Sequence, residues 1–230
     1  MNCDIHPGCL NRRASRISSK EVTSTGRASE KTHADSHPPF NESYRGTPPW
    51  DIGRPQSEFV RLVRSGEVRG RVLDAGCGTG ESAIYFAQQG LDAWGIDSAP
   101  LAIEKAIGKA KARRVKVRFV LGDALHLDEL GEERFDTITD TGLFHIFSDS
   151  DRALYSASLR QAMKRNGTYL MLCFSTKEQT DWGGPRRVSE DEIRQTFRRG
   201  WKVNYMKETK FDTRFHEEGG HALLASITAA

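Results

Sequence analysis

One run constrains this chain more than any other: VLDAGCGTG, residues 72–80, an apolar stretch that ends in Gly76, Gly78 and Gly80 and passes at once into the amphipathic pattern ESAIYFAQQG. Glycines recur like this where backbone takes positive φ or lets a ligand reach its N–H groups closely. In open α/β sheets such ligands lie at the carboxyl ends of the strands, so the run is read as a strand ending in a ligand cradle. The spacing limits the ligand. A nucleoside triphosphate loop needs G-x-x-x-x-G-K-[ST], and no lysine is supplied. The dinucleotide fingerprint is G-x-G-x-x-G, whereas here the third glycine comes one residue early. Asp74, at the strand end before the glycines, repels a diphosphate and suits a cationic amine. Asp97 lies roughly 20 residues further on, at the end of the next strand pattern, where an acid accepts hydrogen bonds from ribose hydroxyls. An adenosyl ligand carrying an ammonium group satisfies both acids.

From Arg71 onward, short apolar runs alternate with amphipathic ones, as in βαβ units. Strands are predicted at 71–76, 91–97, 115–124, 134–142, 168–175, 201–209 and 221–229. Helices are predicted over 81–90, from Ser98 with Pro100 in the first turn, over 151–165, and over 189–199 with Ser189 as N-cap and Glu192 at the capping-box position. The short HEEGG loop makes the last two strands antiparallel. The expected fold is therefore α/β, Rossmann-like, with a seven-stranded, mostly parallel sheet, one antiparallel strand and helices on both faces. Residues 1–40 are polar and without period, and are expected to be a disordered tail. Residues 41–230 form the expected domain, and 41–66 an N-terminal lid stiffened in extended form by Pro48 and Pro49.

Composition excludes several classes. With 34 basic against 31 acidic residues the net charge is +3, which gives little pull toward nucleic acid or anionic membrane. No apolar run approaches the roughly 18–20 residues of a membrane span, and the first residues lack the apolar stretch of a secretory signal, so a cytoplasmic protein is expected. The cysteines, Cys3, Cys9, Cys77 and Cys173, have no metal-site spacing, and no metal is expected. Cys77 and Cys173 are read as small buried hydrophobes.

These motifs together resemble the class I S-adenosylmethionine-dependent methyltransferases. DAGCGTG is the first motif, with Asp74, Gly76, Cys77, Gly78, Thr79 and Gly80. Asp97, followed by Ser98, is the second-strand acid, GDA supplies Asp123 and Ala124, and FDTITDTGLFH brings Asp140 and Thr141 to the reaction site. The resemblance runs from about Tyr44 to the last residue. It implies S-adenosyl-L-methionine as cofactor, S-adenosyl-L-homocysteine as product, and Asp123 on the adenine amino group. Asp123 and Asp140 also read as cap or turn residues. Two rivals stay open: an NAD(P)-linked oxidoreductase, which lacks a recognisable hydride-transfer pair, and a non-catalytic adenosyl-binding module.

The acceptor class follows from what stands after the fourth strand. Base-amino methyltransferases carry Asn/Asp-Pro-Pro-aromatic there, to grip a flipped base, and this chain has Asp140-Thr141-Gly142-Leu143. A small molecule is expected, with no nucleic acid or membrane partner, on a monomer or weak homodimer. The opening segment resembles that of bacterial thiopurine, thiol, quinone and heterocyclic-toxin methyltransferases, which implies Tyr44, Trp50 and, more remotely, Gln56 as binding residues. The alternative reading of Trp50 is an anchor of the segment on the core. Phe144, Phe147 and Trp182 are expected to line an aromatic acceptor pocket. His145 reads first as a satisfied structural histidine, and it is also the best placed candidate for a general base. Arg186 and Arg187 are candidates for an acidic substituent, or simply solvated. A hydroxylated aromatic or heteroaromatic acceptor is favoured, with O-methylation ahead of S- or N-methylation.

Overall fold

The structure is a computed structural model that describes residues 40–230 apart from Glu133, Trp182 and Phe215; residues 1–39 of the expected tail and the pocket role expected of Trp182 lie outside the described residues. Seven strands form one sheet: β1 (Arg71–Ala75), β2 (Asp92–Asp97), β3 (Arg118–Leu121), β4 (Phe135–Thr141), β5 (Met163–Phe174), β6 (Trp201–Phe211) and β7 (Gly220–Ala229). Their order is β3-β2-β1-β4-β5-β7-β6. The pairs from β3 through β5 are parallel, while β7 runs antiparallel to both β5 and β6. The mostly parallel sheet with one reversed strand is as expected. The order reverses direction between β1 and β4, and such a switch point opens a crevice at the strands' carboxyl ends.

Among the described residues six α-helices accompany the sheet: α1 (Phe40–Ser43), α2 (Ser57–Arg64), α3 (Glu81–Gln88), α4 (Pro100–Ala112), α5 (Asp149–Ala162) and α6 (Glu190–Thr196), with α1 packed on α4. Because successive side chains of a strand face opposite ways, the central strands feed two cores. Leu73, Ile96, Ile138 and Met171 pack with Tyr155 and Leu159 of α5. Val72, Leu170 and Leu172 pack with Phe59 and Leu62 of α2 and Phe86 of α3. At about 25 cal/mol per Å², each fully buried side chain of this kind contributes roughly 1.5–3 kcal/mol.

Boundaries moved where local geometry overrode periodicity. The helix predicted to Arg165 stops at Ala162, where Met163 turns extended (φ −90°, ψ 146°) and opens β5. β5 reaches its long pairing with β4 through a register shift, beside Asn166 at φ 62°. The third strand is shorter than predicted, ending at Leu121. α4 is entered at Ala99, not Ser98, because the Asp97 carboxylate accepts the Ala99 N–H.

The lid expectation also changes. The Asp51 N–H donates to the Pro48 carbonyl at 3.0 Å, so the proline pair lies in a tight turn, where Pro49 presets the backbone, and not in an extended run. α2 buries Phe59 and Leu62 completely and belongs to the core. What remains over the strand ends is a strap, residues 40–56.

Candidate functional site

At the end of β1 the backbone takes positive φ at Gly76, Gly78 and Gly80 (68°, 52° and 83°), which accounts for the alternate glycines. At Gly80 a Cβ would stand 2.8 Å from Phe119 Cζ and 2.9 Å from Ala106 Cβ. A Cβ on Gly78 would stand 3.0 Å from the Tyr44 hydroxyl, so the strap lies directly against the loop. The Asp97 carboxylate accepts the Gly78 N–H at 2.8 Å and the Ala99 N–H at 2.9 Å, locking the loop to the end of β2. Burial raises its pKa against these backbone hydrogen bonds.

Asp74, 3% exposed, accepts the Thr139 hydroxyl at 2.8 Å. Burial pushes its carboxyl up to about 7, with Asp140 and Asp97 adding to the effect. On β4, Thr139 and Thr141 point to the Asp74 side of the sheet. The Thr141 hydroxyl oxygen is buried with no hydrogen-bond partner. Asp140 points to the other side and is used by the fold: it accepts the Leu143 and Phe144 N–H groups at 2.7 and 3.0 Å and the Tyr155 and Tyr169 hydroxyls at 3.2 and 2.8 Å. Burial lifts its carboxyl to about 6. Its role is to cap the turn after β4, and its two oxygens carry no reach toward a ligand. Asp123 accepts the Leu125 N–H at 2.9 Å and caps the 3₁₀ turn Ala124–Leu130, so its cap role is in place. Ala124 gives its carbonyl to the Ser158 hydroxyl.

Cys77 and Cys173 are buried, and burial raises both thiols above their ordinary range. Both serve as packing residues. Ser98 is exposed at the rim of the loop.

The strap is pinned along its length. The Asn41 side chain accepts the Leu101 N–H, Lys105 donates to the Gly46 carbonyl, and Trp50 Nε1 donates to the Tyr44 hydroxyl at 3.0 Å. Burial, then the nearby Asp97 charge, raises the Tyr44 phenol well above its usual range. Thr79 donates to Asp51 at 2.8 Å and accepts from Lys109 at 2.6 Å. Lys109 also reaches Glu81, which Arg113 holds with two hydrogen bonds. At the far end, the Gln56 amide makes both of its hydrogen bonds to the backbone of Asp212, at 3.0 and 2.7 Å. Gln56 is a clamp between strap and sheet. Nothing in composition flagged Asp51, Lys109 or Asp212, because each partner is distant in sequence.

Beyond β4 the turn Phe144–Ile146 carries His145, 5% exposed. Its ring stacks on Phe174 at 5.3 Å and 4° and on Phe211 at 6.0 Å and 28°. Nδ1 accepts the Phe174 N–H at 3.2 Å, which leaves the ring's proton on Nε2. Burial, then Arg152 and Arg187, depress its pKa to about 3. The imidazole is therefore neutral with its lone pair taken. It offers an N–H: the structural reading of His145 holds, and the alternative role of general base has no acceptor nitrogen to work with.

The expected aromatic pocket is corrected likewise. Phe144 is fully buried under the Arg152 guanidinium, 4.4 Å from its ring centroid, and Phe147 is 3% exposed against Tyr155. Both are core side chains, since the turn after β4 folds inward onto α5. The aromatics that stand with His145 are Phe174 and Phe211. Phe174 was signalled by its place at the carboxyl end of an apolar strand; Phe211 lay beyond the predicted strand end. Arg186 pairs with Asp149 and Glu192, and Arg187 donates to the Pro185 and Thr180 carbonyls.

These residues suit an adenosyl ligand with a cationic centre. The glycines leave a cradle that side chains would fill, carboxylates stand at the ends of β1 and β2, and a buried hydroxyl waits unpartnered at the end of β4. Among the described residues no acid, His and Cys cluster could hold a metal ion, and no helix is long and apolar enough to cross a membrane.

Comparison with known proteins places these features in a family. Residues 72–167 match the family described as "Methyltransferase domain". The chain is 38% identical over 175 residues to the 2-heptyl-1-hydroxyquinolin-4(1H)-one methyltransferase of Mycobacteroides abscessus, covering 72% of this chain and 77% of that protein. A solved structure from work on the conversion of a disulfide bond into a thioacetal group during echinomycin biosynthesis superposes with a TM-score of 0.75 at 32% identity, over 83% of this chain and 90% of that one. Magnesium protoporphyrin IX methyltransferase from Synechocystis PCC 6803 with bound S-adenosylmethionine shares the fold, with a TM-score of 0.59 at 21% identity over 76% and 77% of the two chains.

Proposed function

The chain belongs to the class I S-adenosylmethionine-dependent methyltransferases, and from that footing we propose that it methylates a small, planar aromatic or heteroaromatic acceptor bearing a hydroxyl group. The observation that carries this reading is the stack of His145, Phe174 and Phe211 at the carboxyl ends of β4, β5 and β6, on the same edge of the sheet as the glycine loop. These rings are themselves buried and packed face to face, so they would form an apolar floor under a planar ring, with the histidine N–H as its one directed polar group. A relative that acts, by its name, on a hydroxyquinolone supports oxygen as the atom methylated.

When bound, the cofactor supplies an electrophilic methyl carbon; the acceptor's lone pair makes the new bond as the carbon–sulfur bond breaks, and that electron pair stays on sulfur. The protein's part is alignment and exclusion of water. Asp97 and the glycine loop hold the ribose end, with Asp123 at the adenine, and Asp74 faces the ammonium group. Burial pushes the Asp74 carboxyl up to about 7, and a cation beside it favours its charged form. Tyr44, Trp50 and the rest of the strap cover the cradle. His145 donates to the acceptor's oxygen and removes no proton.

The test is an incubation with methyl-labelled S-adenosylmethionine and three matched sets of acceptors: hydroxyquinolones and phenols, thiophenols, and anilines. Transfer to the hydroxylated set, with the label on oxygen by mass spectrometry, is expected. Exclusive transfer to sulfur, the atom named in the work on the disulfide-to-thioacetal protein, or to nitrogen would replace the oxygen assignment. No transfer to any set would remove the small aromatic acceptor.

A further inference from the structure

Arg152 opens the second turn of α5 directly beneath the His145 turn, and it is only 2% exposed. Its Nη1 donates to Glu192 at 3.0 Å and its Nε to the Phe144 carbonyl at 3.4 Å, while Nη2 is buried with no hydrogen-bond partner. A buried guanidinium with an unused donor carries a large desolvation cost. A second guanidinium, Arg187, stands 6.0 Å from the centroid of Phe174, the ring stacked on His145.

The carboxylates near this cluster are already engaged. Glu192 is shared by Arg152, Arg186 and the Ser189 cap of α6. Asp149 of α5 is held by Arg186. Glu178, in the loop after β5, accepts from Thr180 and from the His221 N–H of β7. Asp140 of β4 is surrounded by its four donors. The charges that bear on the His145 ring are Arg152 and Arg187, and both act in the same sense, holding the imidazole neutral. Among the described residues this end thus presents the His145 N–H donor beside two guanidiniums, and the carboxylates named here are already engaged by other donors.

We propose that this end of the site receives the acceptor as its anion, an ionised hydroxyl, N-hydroxy or thiol group on a planar ring, with Arg152 and Arg187 as positioning residues that supply the field and His145 Nε2–H as the directed hydrogen bond. The inference rests on the methyl-transfer reading and deepens it by fixing the charge of the substrate. The anion brings the electron pair for the new bond, and its proton has already gone to solvent.

The probe is 4-nitrophenol, whose anion is identified by its visible absorption. S-Adenosylhomocysteine affinity is first measured by calorimetry on the full chain, and the loaded protein is then titrated with the probe across pH 5 to 9, roughly the range in which such a phenol ionises. Bound probe is expected to ionise at least about one pH unit below free probe, a tenfold preference for the anion. Arg152→Gln and Arg187→Gln should each reduce that shift, and Arg152→Lys should restore part of it. If Arg152→Gln does not fold, Arg187→Gln, whose side chain is half-buried, carries the test. An unshifted probe, a preference for the neutral phenol, or no binding overturns the proposal. Failure to bind S-adenosylhomocysteine would instead strike the methyl-transfer reading beneath it.

Discussion

The Thr79 hydroxyl of the glycine loop donates to the Asp51 carboxylate of the strap at 2.8 Å while accepting from Lys109 of α4 at 2.6 Å. One loop side chain thereby joins the cover of the site to the helix behind it. Burial works against the Glu81 charge, yet Arg113 and Lys109 hold it below the usual carboxylate range, which keeps the network ionised.

Asp51→Asn and Thr79→Val are expected to loosen the strap without loosening the core. Hydrogen bonds of this kind are worth about 0.5–1.5 kcal/mol, so S-adenosylhomocysteine should dissociate roughly 3- to 10-fold faster in either variant. The double variant should do little more than the worse single one, because the two share one contact. Stopped-flow tryptophan fluorescence reads this, with Trp50→Phe as the control that assigns the signal among the four tryptophans, and fully additive effects would show that the contact does not latch the strap.

Cofactor affinity should depend on pH through Asp74. The carboxyl titrates near 7 when the site is free. An ammonium group bound beside it lowers that value, so binding favours the ionised form. Affinity should hold above pH 7 and fall progressively below it, with a proton released on binding near neutral pH. Calorimetry in buffers of different ionisation enthalpy measures the proton count. Asp74→Asn should abolish the release; an unchanged count in that variant would take the role away from Asp74.

His145 should contribute to acid unfolding. Burial holds its folded pKa at about 3, below the ordinary imidazole value of about 6.5, so the unfolded chain takes up a proton that the folded chain refuses. Stability from this group is present above the unfolded value and is lost as pH falls from about 6.5 toward 3, by an amount on the order of a few kcal/mol. Asp74 and Asp140, whose folded values are raised, work in the opposite direction. Comparing melting temperature against pH for the wild type and His145→Gln isolates the histidine. The variant should show a shallower acid limb, and parallel curves would mean that the ring is protonated in the folded state.

Gly80→Ala tests the cradle. The new methyl would meet Phe119 and Ala106 at under 3.0 Å with φ at 83°. A loss of about 1–3 kcal/mol is expected from overpacking and strain, seen by denaturant titration, with weaker S-adenosylhomocysteine binding. Gly108→Ala, in α4 with open space around its Cβ position, is the control and should be neutral or slightly stabilising.

Much of this was legible in the chain because it depends on short-range pattern. The apolar runs gave the strands, the alternate glycines gave the loop, and Asp74 and Asp97 were placed by standing at strand ends. What escaped depends on facing. Asp140 and Thr141 are adjacent, yet the pleat sends one into the core with Tyr155 and Tyr169 and leaves the other's hydroxyl unpartnered on the Asp74 side. No composition rule fixes that parity. Phe144 and Phe147 look like pocket aromatics until the turn after β4 folds them onto α5. The base role stayed open for the His145 ring until Phe174, 29 residues away, supplied the N–H that occupies its lone pair.

The position of β7 between β5 and β6 bears on how the molecule is made. During synthesis β6 leaves the ribosome first and finds its partner missing, while the flank of β5 stands bare until Gly220–Ala229 follows. Phe174 and Phe211, the rings stacked with His145, are brought into register only when that strand pairs between them. A nascent chain can thus complete its nucleotide half, β1 to β4, well before it has anywhere to put an acceptor, and the interval is when its open strand edges are most exposed to pairing with a neighbour.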